Sequence, residues 1–212
     1  MAEIIPTILV KKFSEVKERI KAVEKYVNWV QLDIMDGIFV NNETWNRPQD
    51  LKKIKTKIKL EAHLMVEKPE EVIEDWLKVV DRIIVHFESK ISDLAGLIKK
   101  IHNSGKQIGL AINPETHFSV VEPFLQDLDL VLFMTVQPGQ GGQEFQGWVL
   151  DKVRALHNMW PGGNIEIDGG MNPETVKRAI EAGVNLICAG SYIFKSKNIN
   201  KAINELKSCT TS

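Results

Sequence analysis

The strongest constraint on the fold is a repeated alternation of short apolar runs and helical segments. Eight such runs occur, and in chain order they are IIPTILV, WVQLDIM, IKLEAHLM, RIIVHF, QIGLAI, LVLFM, NIEIDG and NLICAG. Each run has the length and composition of a strand that is buried on both faces. Their regular recurrence indicates a parallel sheet whose strands are joined by helical crossovers.

The segments between the runs carry apolar residues at three- and four-residue spacings, which is typical of helices that pack on a sheet. Proline is tolerated in a first helical turn and glycine commonly ends a helix. Pro69 and Pro173 fit the first position, and Gly105 and Gly183 fit the second. The predicted helices cover residues 13–25, 69–79, 92–103, 148–158 and 173–182.

Eight strand-helix units without a linker or a change of composition predict an α/β protein, a single-domain (β/α)8 barrel of the TIM-barrel class over residues 1–212. An open doubly wound sheet is the alternative. Such a sheet often has a G-x-G-x-x-G motif after its first strand, and this chain has none there. Its glycines cluster after the sixth, seventh and eighth runs, where barrels place a phosphate site, and this favours the barrel.

Charge and hydropathy restrict the partners. The chain has 27 Lys and Arg against 28 Asp and Glu, a net charge of -1, so it has no basic field to hold nucleic acid or an anionic membrane. It shows no secretory signal pattern and no apolar stretch long enough to span a bilayer. We therefore expect a cytoplasmic protein with neither partner. The oligomeric state stays open, a homo-oligomer included.

Two cysteines, Cys188 and Cys209, do not make a disulfide framework or a metal knuckle. The tail that begins at Cys209 is expected to fray. His102, His117 and His157 fall on helical stretches and are expected at the surface.

Polar residues interrupt the apolar runs near their C-terminal ends, and these ends meet at one mouth of a barrel. They are Asp33, His63, His86, Asn113 and Asp168. Strands 2 and 7 lie well apart on the ring, so Asp33 and Asp168 would approach a small substrate from opposite sides. Such a pair can take a proton from one face of a carbon and return one to the other, which inverts a stereocentre. The alternative is that each aspartate binds a barrel lysine or caps a loop.

Glycines in the late loops offer backbone N–H groups that no Cβ obstructs, as a phosphate dianion requires. Three groups follow consecutive strands, and they are Gly139-Gln140-Gly141-Gly142, Gly169-Gly170 and Gly190-Ser191. Their combination predicts a phosphate site. Met35, Met65 and Met134 follow strands 2, 3 and 6, and packing is their default interpretation. The functional alternative is an apolar lid that shields a reactive intermediate from water.

With these motifs in place, the chain resembles the ribulose-phosphate 3-epimerases, metal-dependent (β/α)8 barrels that interconvert ribulose 5-phosphate and xylulose 5-phosphate. The similarity runs from Pro6 to about Phe194. It is carried by LDIMDGIFV, EAHLMVEKPE, IIVHFES, INPET, MTVQPGQGGQEF, IDGGMN and AGSYIF, in that order.

The resemblance implies a role for each matching position. Asp33 would be the general base and a metal ligand, Asp168 the partner acid and a second ligand, and His63 a third ligand. The glycine groups, with Gln140 and Ser191, would hold the phosphate of a phosphorylated ketose, and the three methionines would cap the enediolate. No lysine accompanies Asp33 and Asp36 in an Asp-x-Lys-x-x-Asp pattern, which disfavours the related decarboxylase and synthase barrels.

The departures from the family pattern concentrate at the expected metal site. The family has a histidine ligand where this chain has Gln31, a serine at Thr7 and a second histidine at Ile38. It has asparagine and phenylalanine where this chain has Gln137 and Gln140. Thr7 keeps the hydroxyl. Gln31 offers only an amide oxygen, a harder and weaker donor than imidazole, as a fourth ligand beside Asp33, His63 and Asp168.

Three hypotheses follow. The first is an epimerase that binds zinc weakly through Gln31, Asp33, His63 and Asp168, or that prefers Mn²⁺ or Fe²⁺ as its divalent metal. The second is a 3-epimerase of another sugar phosphate, such as a hexulose 6-phosphate, that works with two aspartates and little or no metal. The third is a catalytically silent sugar-phosphate binder or interaction protein. The acid pair and the phosphate glycines favour the first two.

Overall fold

The chain forms a closed parallel barrel of eight strands in chain order, shown by a computed structural model that describes residues 2–210. The strands are β1 (Glu3–Ile8), β2 (Trp29–Met35), β3 (Lys59–Met65), β4 (Arg82–His86), β5 (Gln107–Ile112), β6 (Leu130–Met134), β7 (Ile165–Asp168) and β8 (Leu186–Ala189). Parallel pairing of β1 with β8 closes the ring. The predicted (β/α)8 barrel is confirmed. The assignment of residues 1–212 to one domain stays a prediction.

The five predicted helices are present and end within a few residues of the predicted limits. The helices are α1 (Phe13–Val23), α2 (Pro69–Trp76), α3 (Leu94–Asn103), α4 (Val149–Met159), α5 (Pro173–Glu181), α6 (Ser191–Phe194) and α7 (Ile199–Ser208). The helix α3 begins later than predicted because the Asp93 side chain accepts the N–H of Gly96 and caps it. Short 3₁₀ helices, Pro48–Lys53 and Phe118–Asp127, follow β2 and β5.

The C-terminal tail is better packed than the sequence suggests. Cys209 and Thr210 directly follow α7 and are both buried, so the expectation of fraying is wrong for these two residues. The remainder of the tail, residues 211–212, lies outside the described residues. His102, His117 and His157 are exposed, as predicted, although His117 precedes a 3₁₀ helix rather than lying on an α-helix.

The barrel interior is organised in levels because alternate residues of each strand point inward. The register of β2 and β3 pairs Gln31 with Glu61, Asp33 with His63, and Met35 with Met65. The methionines are nearest the mouth of the barrel, and the polar residues lie deeper inside it. An outer hydrophobic core packs the barrel against its helices. No helix within residues 2–210 is long and apolar enough to cross a membrane.

Candidate active site

The two predicted catalytic aspartates converge on a single atom. Nε2 of Gln31 donates to Oδ1 of Asp33 at 2.8 Å and to Oδ2 of Asp168 at 2.7 Å. The same nitrogen lies 3.4 Å from Nδ1 of His63. Asp33 and Asp168 therefore approach from β2 and β7 but meet at one point, closer together than their separation on the ring suggests.

The surroundings of Asp168 favour its protonated form. Burial, assisted by the adjacent charge of Asp33, raises the pKa of Asp168 to about 7. A carboxyl group with such a pKa can hold a proton near neutral pH and release it to a reacting atom. A carboxyl group of this kind beside a second aspartate suits the division of roles that acid-base catalysis requires.

A hydrogen-bonded chain behind His63 fixes its ring. Nε2 of His63 lies 2.9 Å from Nε2 of His86, whose Nδ1 lies 3.3 Å from Oε2 of Glu88. Burial lowers the pKa of His86 to about 4, so this ring is neutral and carries one proton. If that proton is donated to Glu88, His63 donates from Nε2 and keeps a lone pair on Nδ1. This lone pair faces the aspartates.

Three of these side chains fit a divalent ion. Asp33, His63 and Asp168 each offer a ligand atom, and all of these atoms lie within 4.8 Å of one another. Two carboxylates and an imidazole are suitable ligands for Zn²⁺, Mn²⁺ or Fe²⁺. The His63–His86 bond supplies the outer support that a ligating imidazole usually has.

Gln31 is arranged differently from the sequence expectation. Its amide oxygen accepts from the Cys188 thiol at 3.2 Å, and its nitrogen faces the carboxylates. An amide nitrogen carries two donor protons and is not a metal ligand. In this orientation Gln31 cannot be the fourth ligand, and its assignment as one stays a prediction that requires the amide to turn over.

A pocket of about 300 Å³ opens above the aspartates. Its lining includes both predicted catalytic residues, Asp33 and Asp168. It also includes the predicted substrate-binding residues Thr7, Met35, Met65, Met134, Gly139, Gln140, Gly141, Gly142, Gly169, Gly170, Gly190 and Ser191. Gln31 and His63 are fully buried and do not line it. The three methionines are almost fully buried, yet they contribute to the pocket wall. Packing and an apolar cover over the substrate are therefore compatible roles for them.

Close contacts with neighbouring groups explain several of the glycines that line the pocket. Gly169 and Gly170 have φ angles of 122° and 64°, in the region that favours glycine. A Cβ on Gly170 would lie 2.7 Å from the backbone nitrogen of Phe145, and one on Gly190 would lie 2.5 Å from Oγ1 of Thr7. Larger residues would not fit at either position without a shift of the neighbouring groups.

Two cations in the pocket wall were missed in the sequence analysis. Arg19 and Lys195 line the pocket, although neither belongs to a motif. The Arg19 guanidinium lies 4.8 Å from the ring centroid of Phe194. Lys195 directly follows AGSYIF, so its position one helical turn beyond Gly190 was a usable signal. Arg19 is one of several charged residues on α1, and the sequence pattern does not distinguish it.

An ionic cluster below the site was also missed. Nη1 of Arg82 lies 2.7 Å from Oε2 of Glu61 and 3.5 Å from Oε2 of Glu166, and all three residues are buried. Burial raises the pKa of both glutamates. The available signal was their spacing, since Glu61 and Glu166 stand two residues before His63 and Asp168 and so share the inner face.

Loops after β2 and β6 meet over one side of the mouth. Nδ2 of Asn42 donates to the carbonyl oxygen of Gly139 at 2.8 Å and joins them. Ile38 lies in the first of these loops and is 68% exposed. Gln137 in the second donates to Oε1 of Glu115 at 2.7 Å. Two of the departures from the family pattern therefore lie at the rim rather than at the aspartates.

The fold and the site together define a (β/α)8-barrel enzyme with two adjacent aspartates at the carboxyl ends of its strands. The model of the ribulose-phosphate 3-epimerase family matches residues 3–194, and the chain belongs to that family, whose members are isomerases.

Curated relatives support the assignment along nearly the whole chain. A ribulose-phosphate 3-epimerase of Synechocystis is 40% identical over 94% of this chain and 90% of its own length. One of Bacillus subtilis is 38% identical over 98% of this chain and 99% of its own. The cytoplasmic isoform of Oryza sativa is 37% identical over 97% and 93%.

Solved structures of lower identity share the fold. A 3-hexulose-6-phosphate synthase superposes with a TM-score of 0.74 at 16% identity and covers 99% of both chains. KGPDC from Streptococcus mutans gives 0.78 at 14% identity, over 99% of this chain and 97% of its own. At these identities the likeness shows the barrel alone.

Proposed function

We propose that this protein is a ribulose-phosphate 3-epimerase that interconverts ribulose 5-phosphate and xylulose 5-phosphate by inverting C3. The observation that carries the proposal is the meeting of Asp33 and Asp168 at one atom beside the pocket, in a chain of this family. Inversion needs a group on each face of the reacting carbon, and two carboxyl groups from different strands meet that need.

The proton steps follow from the two carboxyl groups. Asp33 removes the C3 proton and leaves an enediolate, and Asp168, protonated near neutral pH, delivers a proton to the opposite face. Each aspartate takes the other's role in the reverse direction. The side chains of Met35, Met65 and Met134 in the pocket wall exclude water from the enediolate.

A divalent ion fits this scheme through Asp33, His63 and Asp168. When bound, it would contribute positive charge that stabilises the negative charge of the enediolate. Zn²⁺, Mn²⁺ and Fe²⁺ all suit these donors, and the oxygen-rich set favours the latter two more than a site with an additional imidazole would.

The far end of the pocket is proposed to hold the substrate phosphate. Gly169, Gly170 and Gly190 expose backbone there, and Arg19 and Lys195 add positive charge beside it. Phosphate oxygens accept hydrogen bonds from unobstructed N–H groups and pair with cationic side chains. Binding at this end would leave the carbon chain of the sugar pointing toward the aspartates.

A 3-epimerase of another sugar phosphate, such as a hexulose 6-phosphate, is the second candidate. It is favoured by Ile38 and Gln137 at the rim, since both differ from the family pattern and the rim would contact the additional carbon of a longer sugar. A silent binder is the third candidate. It is opposed by the retention of both aspartates in hydrogen-bonding geometry, which binding alone does not require.

A direct assay separates the three candidates. The purified protein would be incubated with ribulose 5-phosphate, with a hexulose 6-phosphate and with each sugar lacking phosphate, and the products followed by NMR. The proposal expects xylulose 5-phosphate at the highest kcat/KM. Preferential conversion of the hexulose phosphate would support the second candidate, and binding without conversion would support the third.

The setting of the reaction extends the same proposal. We expect the enzyme to act in the cytoplasm on a phosphorylated ketose, without nucleic acid or a membrane as a partner. A homo-oligomer is compatible with this function, and both aspartates and the phosphate end lie within one chain.

A further inference from the structure

The side-chain amide of Gln31 has an unusual environment. Its nitrogen faces only hydrogen-bond acceptors, two carboxylate oxygens at 2.8 and 2.7 Å and the imidazole nitrogen of His63 at 3.4 Å. These acceptors belong to the same three residues that fit a divalent ion. The amide N–H groups and an ion would therefore compete for one set of lone pairs.

Turning the amide over carries an electrostatic cost when no cation is present. The reversed amide would place its oxygen against the oxygens of Asp33 and Asp168. Like partial charges at such short range repel strongly in a buried site. The nitrogen-inward orientation is thus the stable one without an ion, whereas an ion would favour the oxygen-inward orientation.

Cys188 acts on the other end of the same amide. Its Sγ lies 3.2 Å from Oε1 of Gln31 and 3.0 Å from Oε1 of Glu166. The single S–H proton can be donated to Gln31 or to Glu166. Donation to Gln31 favours the nitrogen-inward orientation.

We propose that the Gln31 amide takes the place of a metal ion between Asp33 and Asp168, and that Cys188 is the positioning residue that fixes the amide in this orientation. The two N–H groups hold the two carboxyl groups together. The nitrogen-inward amide and the ion exclude each other, so this chain binds a divalent ion weakly. The inference depends on the proposed function only in the test below that measures epimerase activity.

Metal affinity provides the first test. Zinc and manganese would be titrated calorimetrically into chelator-treated wild-type protein, Gln31→His and Cys188→Val. Gln31→His should tighten zinc binding by roughly tenfold or more, as changes next to a metal commonly do. Cys188→Val should tighten it by roughly threefold, the effect of one lost hydrogen bond that held the competing amide.

The orientation of the amide has its own spectroscopic readout. In protein labelled with ¹⁵N at glutamine, the two side-chain N–H signals that Gln31→Met removes belong to Gln31. They should be shifted and slow to exchange in the wild type without metal, and averaged or displaced in Cys188→Val. Cys188→Ser, which keeps a donor, should restore them.

Cys209 offers a matched control because it is the other buried free thiol and its Sγ bonds to the carbonyl oxygen of Glu205, in α7. Cys209→Val should leave both the Gln31 signals and the zinc affinity unchanged. Equal and tight zinc binding by wild type and Gln31→His would overturn the inference. Unaltered Gln31 signals in Cys188→Val would overturn the role of Cys188.

Measurements of epimerase activity are the last test, and they separate this inference from the proposed function. Chelator-treated wild type should retain most of its epimerase rate, whereas Gln31→His should become metal-dependent. Loss of most wild-type activity on chelation, restored by added metal, would contradict the inference. A protein that shows the expected amide signals and weak zinc binding but never converts the sugar would contradict the proposed function instead.

Discussion

Single residues determine the chemistry of this site through one shared contact. Asp33 and Asp168 both accept from the Gln31 amide, so each carboxyl group is held in place by a neutral donor while it remains free to exchange a proton. The raised pKa of Asp168 results from burial and from the charge of Asp33. Removing either carboxyl group would therefore remove a proposed proton carrier and change the electrostatic environment of the other aspartate.

Replacement of either aspartate by asparagine is the direct test of these roles. Asp33→Asn and Asp168→Asn should each lower kcat by at least about 100-fold, the usual contribution of a positioned acid or base. Asp151→Asn is a suitable control because this aspartate is exposed and pairs with Arg154 on α4, away from the pocket lining. Stopped assays on folded variants would measure the rates, and an undiminished rate in Asp33→Asn would contradict the assignment.

Among the structural elements, the loops after β6, β7 and β8 carry the proposed phosphate site. Gly170→Ala introduces a Cβ 2.7 Å from a backbone nitrogen at a φ of 64°. Gly162→Ala introduces one at a φ of 85° with no atom within 4 Å. Both should lose about 1 kcal/mol of unfolding free energy because alanine is strained at positive φ.

The two glycine variants should differ in ligand binding. Gly170→Ala should lose further stability and weaken binding of the phosphorylated sugar by roughly tenfold or more, because displaced backbone N–H groups no longer meet the phosphate. Gly162→Ala should bind the sugar like the wild type. Urea unfolding and calorimetry measure the two effects, and equal affinities in the two variants would place the phosphate elsewhere.

The elements themselves were largely predictable, because buried strands and amphipathic helices leave patterns in local sequence. The eight strands and five main helices follow from apolar spacing and from Pro69, Pro173 and the terminal glycines. The 3₁₀ helix at Phe118–Asp127 was not predictable from apolar spacing, because Pro123 interrupts an otherwise helical apolar pattern.

Contacts inside the barrel were less predictable because they depend on strand register. Gln31 and Cys188 are 157 residues apart in sequence, and only closure of the barrel brings them together. The Arg82, Glu61 and Glu166 cluster is similar, since charged residues in apolar runs reveal their partners only in three dimensions. Asp33 and Asp168 were predictable because the C-terminal ends of barrel strands always share one mouth.

For the whole molecule, the proposed function requires one pocket to hold both the reacting carbon and the phosphate of the substrate. The two aspartates, the cations Arg19 and Lys195, and the late glycines all line this pocket. A substrate held at both ends is positioned for reaction, whereas one held at a single end is not. We therefore expect the spacing between the aspartates and the proposed phosphate-binding groups to determine which sugars react.

Dependence on the phosphate group tests this two-ended arrangement. Ribulose 5-phosphate should bind at least about 100-fold more tightly than ribulose, because several charge-assisted hydrogen bonds are lost with the phosphate. Lys195→Met should weaken binding of the phosphate ester but leave binding of free ribulose unchanged. Calorimetry with both sugars measures the difference, and equal affinities would exclude a phosphate site in this pocket.

The central claim is that two aspartates invert C3 by proton exchange with solvent. Its most direct test is incubation of the wild-type protein with ribulose 5-phosphate in D₂O, with the products followed by NMR. We predict xylulose 5-phosphate that carries deuterium at C3, at a rate that Asp33→Asn abolishes. No xylulose 5-phosphate and no deuterium at C3, under conditions where ribulose 5-phosphate binds, would contradict the claim.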